Sequence, residues 1–258
     1  MDATVDEAPV GRTDAPLNDS TLLTYRYLRT GIVAMAVLLA LSLSFAIVGA
    51  DAPLRGSISS YYYTPVRSVF VGALVAIGLA LIAIRGKGWE ETLLNLAGML
   101  APVVALVPTR VRPTPPAACA DGASTCVPPD LVPGIENNMR ALFVVGALTL
   151  VFAWWTAWSS RGREQVGGSA VRAGLAVTTA VALLFGLWLF VDAESFLSAG
   201  HNTAAITMFA CIVAVVIITR AASRPRARTR STASHRASSA GPTARWRSRC
   251  SRRWPSWR

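Results

Sequence analysis

Charge is what this chain has least of. Only 15% of its 258 residues are charged, against about 25% in an ordinary soluble domain. Histidine is scarcer still, with His201 and His235 alone. A zinc site built on three histidines is therefore excluded within one chain. No nucleophile elbow is present, so Ser/His/Asp catalysis, formally open to Ser57–Ser60, His201 and Asp192, has no recognisable local context. No Asp, Glu, Lys or Arg lies in the middle of a long apolar run. Ion-coupled transport normally places such a group on its path, which weakens that reading. The first thirty residues are polar and acid-rich and carry no cleavable signal peptide. Insertion is expected to rely on the first apolar run, which starts at Gly31.

What is abundant is apolar surface, at 53% of residues. It falls into six runs: Gly31–Ala50, Pro65–Ile84, Thr92–Val107, Arg140–Trp158, Val171–Val191 and Asn202–Thr219. Crossing a 30 Å hydrocarbon layer at 1.5 Å per residue takes about 20 residues. The expected fold is all-α, a polytopic transmembrane bundle of six spans. Residues 1–30 form a polar cytoplasmic segment, 31–219 the membrane domain and 220–258 a disordered tail. The third run is the shortest and contains Pro102, so a kinked or re-entrant helix is the alternative there. Thr64 is expected to cap the second helix, with Pro65 at its first position and Tyr61–Tyr63 extended outside it. Gly86 and Gly88 are expected to stop it.

Orientation follows from the flanking cations. One side holds Arg12, Arg26, Arg29, Arg85, Lys87, Arg161, Arg163 and Arg172, and the other holds Arg55, Arg67, Arg110, Arg112 and Arg140. That ratio of eight to five places both termini inside. The loop from Pro108 to Glu136 carries seven of the fifteen prolines with Cys119 and Cys126. The cysteine spacing suits a small disulfide loop, which persists only outside the cytoplasm; two unpaired thiols are the alternative.

All five tyrosines lie near the ends of the first run or in its connection to the second. With Trp89, Trp154, Trp155 and Trp158 they read as aromatic belts, rings in the interface and hydroxyls in water. The sharper reading is a polar lip over an outward-opening pocket. Its candidate ligand-binding residues are Ser57, Ser59, Ser60, Tyr61, Tyr62, Tyr63 and Arg67, joined from the fifth connection by Asp192, Glu194 and His201. Asn202, Glu136, Asn137 and Asn138 lie on the same side. Asp192, Glu194 and His201 match no specific metal motif, and a solvated polar turn is the reading taken; no metal or cofactor is expected. His201 is expected to cap the sixth helix or pair with an acid, and Asn95 to hydrogen-bond a neighbouring helix. Small-residue stripes at Gly72, Ala76, Ala80 and at Gly174, Thr178, Ala182, Gly186 are read as packing within the bundle, with a dimer face as the functional alternative.

Residues 220–258 contain twelve arginines and no acid. The tail cannot form a core. It reads as a membrane-surface segment for anionic lipids, with only nonspecific affinity for nucleic acid. Its Arg, Ser, Ala, Pro and Trp usage also suits an out-of-frame reading of a GC-rich gene.

Three stretches, SISSYYYTPVRSVFVGAL (57–74), NLAGMLAPVVALVPT (95–109) and HNTAAITMFACIVAVVI (201–217), together resemble uncharacterised multi-pass membrane proteins of actinobacteria and related bacteria. More distantly, the hydroxyl-rich first outer loop is similar to the Frag1/DRAM/Sfk1 membrane proteins. The closer resemblance covers roughly Thr30 to Thr219 and implies no activity. Its members run on beyond the helix matching Asn202–Thr219, a pattern from which residues 220–258 depart. The expectation is a non-enzymatic binding or accessory protein of the bacterial plasma membrane, with a lipid, small amphiphile or membrane partner, including a second copy of itself, as ligand. A permease-like transporter is the alternative and an intramembrane hydrolase the third reading.

Overall fold

The computed structural model describes residues 15–49, 54–86, 88–112, 119, 122–159 and 168–223. Of the basic tail, residues 220–223 are described and continue the last helix, contrary to the expected disorder, and residues 224–258 lie outside the described residues. The described residues form six α-helices: α1 (Ala15–Gly49), α2 (Arg67–Ala83), α3 (Trp89–Leu106), α4 (Val132–Ser159), α5 (Gly168–Val191) and α6 (Ala193–Ser223), with a 3₁₀ turn at Ile58–Tyr63. No strand is present among them. The one sheet-like pairing is an isolated antiparallel bridge, Val111 to Cys126.

Four helices are long and apolar enough to cross a membrane: α1, α4, α5 and α6. Their outward faces carry Phe45, Val145, Leu148, Phe152, Leu184, Phe190, Ile206 and Phe209, all exposed. Soluble monomers rarely expose apolar patches beyond a few hundred Å², so this surface is built for lipid. α2, at 17 residues, is shorter. α3 is also short, at 18 residues, and stands apart for another reason. It is the bundle's centre, with Ala97, Leu100, Ala101, Val103, Val104 and Ala105 all buried. It packs most closely on α2 and α6 and also touches α4 and α5. Around it sit Ile135 and Met139 of α4, Leu189 of α5 and Phe196, Ala204 and Met208 of α6. Phe185, Trp188 and Phe196 meet edge-to-face where α5 turns into α6.

A glycine pair sets the closeness of α2 and α3. A Cβ on Gly78 would lie 2.7 Å from the Gly98 carbonyl oxygen, and one on Gly98 would lie 2.5 Å from the Gly78 carbonyl oxygen. Pro102 has no N–H to offer the Gly98 carbonyl four residues back. The lack of a Cβ at Gly78 is what leaves that oxygen its room between the two helices.

Several local expectations change. Helical structure begins at Ala15, so residues 15–30 of the segment assigned as a polar N-terminal piece belong to α1. Tyr61–Tyr63 are not extended; they form the 3₁₀ turn. Steric exclusion by Pro65 acts on its immediate neighbour alone, and Thr64 is indeed extended at φ −130°, ψ 172°. α2 then starts at Arg67 with no side-chain cap; the Thr64 hydroxyl instead donates to the Tyr61 carbonyl at 2.6 Å. Gly88, at φ +60°, enters α3 rather than stopping α2. Gly72 faces open space, while Ala76 and Ala80 of its stripe are half-buried; the buried residues of α2 are Phe70, Ala73, Gly78 and Leu81. On α5 the stripe does pack within the bundle, Gly174 against the Thr92 hydroxyl and Gly186 against Phe143.

Candidate functional site

Ser57 starts the 3₁₀ turn. It is extended, at φ −151°, ψ 155°, and its hydroxyl accepts from the Ser60 N–H at 3.3 Å. The Ser60 hydroxyl returns the bond to the Ser57 carbonyl at 2.6 Å. This local exchange competes with extended backbone and explains why three tyrosines coil here.

The coil turns those tyrosines inward. Tyr61 and Tyr62 are buried and Tyr63 half-buried. Each hydroxyl has a protein partner. The Arg55 N–H donates to the Tyr61 hydroxyl at 3.4 Å. An Arg67 guanidinium N–H donates to the Tyr62 hydroxyl at 2.8 Å while its carbon lies 4.4 Å from the same ring's centroid. The Tyr63 hydroxyl donates to the Thr109 carbonyl at 2.9 Å. An aromatic belt with its hydroxyls in water is therefore not what these residues build. Trp89, Trp155 and Trp158, at the other end of the bundle, are exposed as such a belt requires. Burial pushes the Tyr63 phenol well above the ordinary tyrosine value, neighbouring Tyr62 adds to the rise, and Arg67 opposes it.

His201 joins three segments. Its Nδ1 lies 2.5 Å from the Val107 carbonyl and its Nε2 2.9 Å from the Ser59 hydroxyl. A carbonyl only accepts, so Nδ1 carries the proton in the neutral ring and Nε2 accepts from Ser59. The Val107 carbonyl is one of those left without an intrahelical donor at the end of a helix. His201 thus closes the end of α3, not α6, and ties α6 to the 3₁₀ turn 142 residues away in sequence.

The remaining candidates do not join it. The Asp192 carboxylate accepts from the Ser195 N–H at 2.9 Å and caps α6. Glu194 is exposed in the first turn of that helix, where a negative charge suits the helix dipole. Neither bonds to His201, and among the described residues no three His, Cys, Asp or Glu side chains converge as a metal site. Glu136 pairs with Arg140 at 2.8 Å along α4. Cys119 and Cys126 are at disulfide distance, with Cα atoms 5.8 Å apart. Asn95 makes no side-chain bond to a neighbouring helix among the described residues; it lines a groove.

That groove is the feature the sequence pattern did not reveal. It runs between α2–α3 and α4–α5, has a volume of about 1780 Å³, and is walled mainly by apolar side chains such as Met99, Leu142, Phe143, Leu150 and Phe185. Thr92, Asn95 and Thr178 lie along it. Among the described residues its charged ones, Arg85, Glu91 and Arg172, all come from the end of α2 and the starts of α3 and α5, which is one end of the bundle. Nothing in the sequence marks a void of this kind, because it depends on how far α4 stands from α3.

Comparison with known protein families, with characterised proteins and with solved structures finds no match to this chain.

Proposed function

We propose that this chain is a multi-pass protein of the bacterial plasma membrane that binds an anionic lipid in the groove between α2–α3 and α4–α5, without catalysing a reaction on it. The groove carries the reading: a long apolar wall suits acyl chains, and Arg85 and Arg172 against the single carboxylate of Glu91 give one end a positive balance. The eight-to-five cation ratio in the flanks supports an orientation with both termini in the cytoplasm. In that orientation the basic end of the groove meets the inner leaflet, where anionic lipids concentrate. The six helices would then each reach across or into the bilayer, α3 within the shelter of the others.

Gly146 tests this directly. It lines the groove, and a Cβ placed on it meets nothing within 4 Å. Gly146→Phe should place a ring in the groove from a position whose Cβ is free of contacts. Native mass spectrometry of the purified chain should show phosphatidylglycerol retained by the wild type and reduced about tenfold in Gly146→Phe, with melting unchanged. Equal retention in the two proteins would refute the groove as the site.

One observation favours a second reading. Ser59, His201 and the Val107 carbonyl are arranged as nucleophile, base and orienting acceptor. A fluorophosphonate probe that labels wild type but not Ser59→Ala would establish a hydrolase; no labelling of either leaves the trio as a structural strut that ties α6 and the end of α3 to the 3₁₀ turn.

A further inference from the structure

The end of the bundle that bears the 3₁₀ turn has a second cavity, separate from the groove. The segments 55–60 and 109–112 face each other across an open cleft of about 460 Å³. Small-ligand sites commonly run from about 300 to 1,000 Å³. Three arginines line the cleft, Arg55, Arg110 and Arg112, together with the hydroxyl residues Ser57, Ser60 and Thr109, and among the described residues no Asp or Glu lines it.

The donors are set for an acceptor. Arg55 and Arg112 are exposed and pair with no carboxylate among the described residues. The single guanidinium bond of Arg55, to the Ser60 carbonyl, is long at 3.4 Å. Arg110 is committed in part, donating to the Thr125 carbonyl. The Ser57 hydroxyl oxygen accepts from the Ser60 N–H, which leaves its own proton for a ligand. Thr109 is the telling residue. It lines the cleft, yet its Oγ1 is shut from solvent with no hydrogen-bond partner among the described residues. A buried hydroxyl without a partner is unfavourable. Its proton is therefore committed to no acceptor among the described residues.

Both walls are also held in place. Tyr63 donates to the Thr109 carbonyl, and Tyr61 accepts from the Arg55 N–H. Val111 and Cys126 exchange both backbone bonds at 3.0 Å, and Cys126 is tied to Cys119. The tyrosines thus position the backbone that carries the arginines, and a backbone already held loses little further freedom on binding.

We infer that this cleft binds a phosphate-type oxyanion, carried either by the headgroup of a lipid in the adjoining leaflet or by a soluble phosphate ester. Guanidinium forks match phosphate oxygens in geometry and charge, and the hydroxyls supply the remaining donors. The site lies apart from Arg85 and Arg172 and does not depend on the groove's occupant.

The test uses the full chain in nanodiscs. To keep groove-bound lipid out of the count, every protein carries Gly146→Phe. In phosphatidylcholine discs, inorganic phosphate is titrated and followed by thermophoresis. In discs containing phosphatidylglycerol, lipid retained on release is counted by native mass spectrometry. Arg55→Gln/Arg112→Gln should weaken one of the two at least tenfold, and Thr109→Val about threefold. Arg140→Gln, a cation of α4 outside the cleft, should change neither. Saturable phosphate binding identifies a soluble oxyanion; lipid retention without it identifies a headgroup. Absence of both overturns the inference, as does an equal loss in Arg140→Gln, which would mark general surface charge. The exposed Arg112→Gln alone, with unchanged melting, serves where the double variant folds poorly; full binding by it and by Thr109→Val together would also overturn the inference.

Discussion

Two glycines six residues apart on α2 should respond to the same substitution with opposite sign. Gly→Ala in a helix interior gains about 0.5–1 kcal/mol because alanine loses less backbone freedom on folding. At Gly72 that gain is unopposed, since a Cβ there meets nothing within 4 Å. At Gly78 the new methyl would meet the Gly98 carbonyl at 2.7 Å, the Ala101 Cβ at 3.1 Å and the Pro102 Cδ at 3.2 Å. None of these is the free end of a flexible side chain, so α2 and α3 must move apart. Overpacking of this kind costs about 1–3 kcal/mol. With the propensity gain subtracted, the net at Gly78 is a loss of up to about 2.5 kcal/mol. At about 2–4 °C per kcal/mol for a chain of this size class, Gly72→Ala should melt about 1–4 °C above wild type and Gly78→Ala several degrees below it. The assay is the surviving monodisperse fraction after heating in one detergent, measured by fluorescence-detected size exclusion. If Gly78→Ala melts at or above Gly72→Ala, the close approach of α2 and α3 is not as described.

Other consequences are equally open to measurement. Ser59→Ala should lower stability by about 1 kcal/mol, and His201→Ala by about 3 kcal/mol, since it also leaves the Val107 carbonyl without its donor; a double-mutant cycle in thermal melts should return a coupling near 1 kcal/mol, and additivity would remove the strut. Burial favours the protonated Tyr63 phenol in the folded chain, whereas the unfolded phenol ionises near pH 10. That contribution is present in full below about pH 10 and is lost as pH rises beyond it, so Tyr63→Phe should show a shallower fall in melting temperature between about pH 9.5 and 11. An impermeant maleimide should label Cys119 and Cys126 in intact cells only after mild reduction; labelling without reductant would deny the disulfide, and labelling restricted to broken cells would reverse the proposed orientation.

The helices were legible in the sequence because long apolar runs need no tertiary information to declare themselves. Their ends were less so, as α1 shows by continuing helical through Tyr25 and Arg26 to Ala15. Pro102 pointed to a weak span, yet α3 is the packed centre. Its modest apolar length reflects shelter by its neighbours, a property of the bundle that no window along the chain carries. The four-residue spacing picked out Gly72 on α2, although Gly78 makes the contact. Alanine-rich helices offer several such stripes, and only the partner chooses among them. The serine and tyrosine cluster was noticed for its hydroxyls, but their partners, Val107, Thr109 and His201, lie 46 to 142 residues from Tyr63 or Ser59 or, between Val107 and His201, 94 residues apart. In the sequence Arg55, Arg110 and Arg112 read only as flanking cations, because their meeting across a cleft depends on the pairing of Val111 with Cys126.

The shelter of α3 has a consequence for how this protein tolerates change. Residues such as Leu148 and Phe152 on α4 face outward, where any greasy side chain serves equally, so a saturation scan there should accept Ile, Val, Met and Phe alike. Ala97, Ala101 and Ala105 have relative exposures of 0%, and even one extra methylene has nowhere to go. The same scan should therefore trace α3 as a narrow track of fixed size classes running through an otherwise permissive chain.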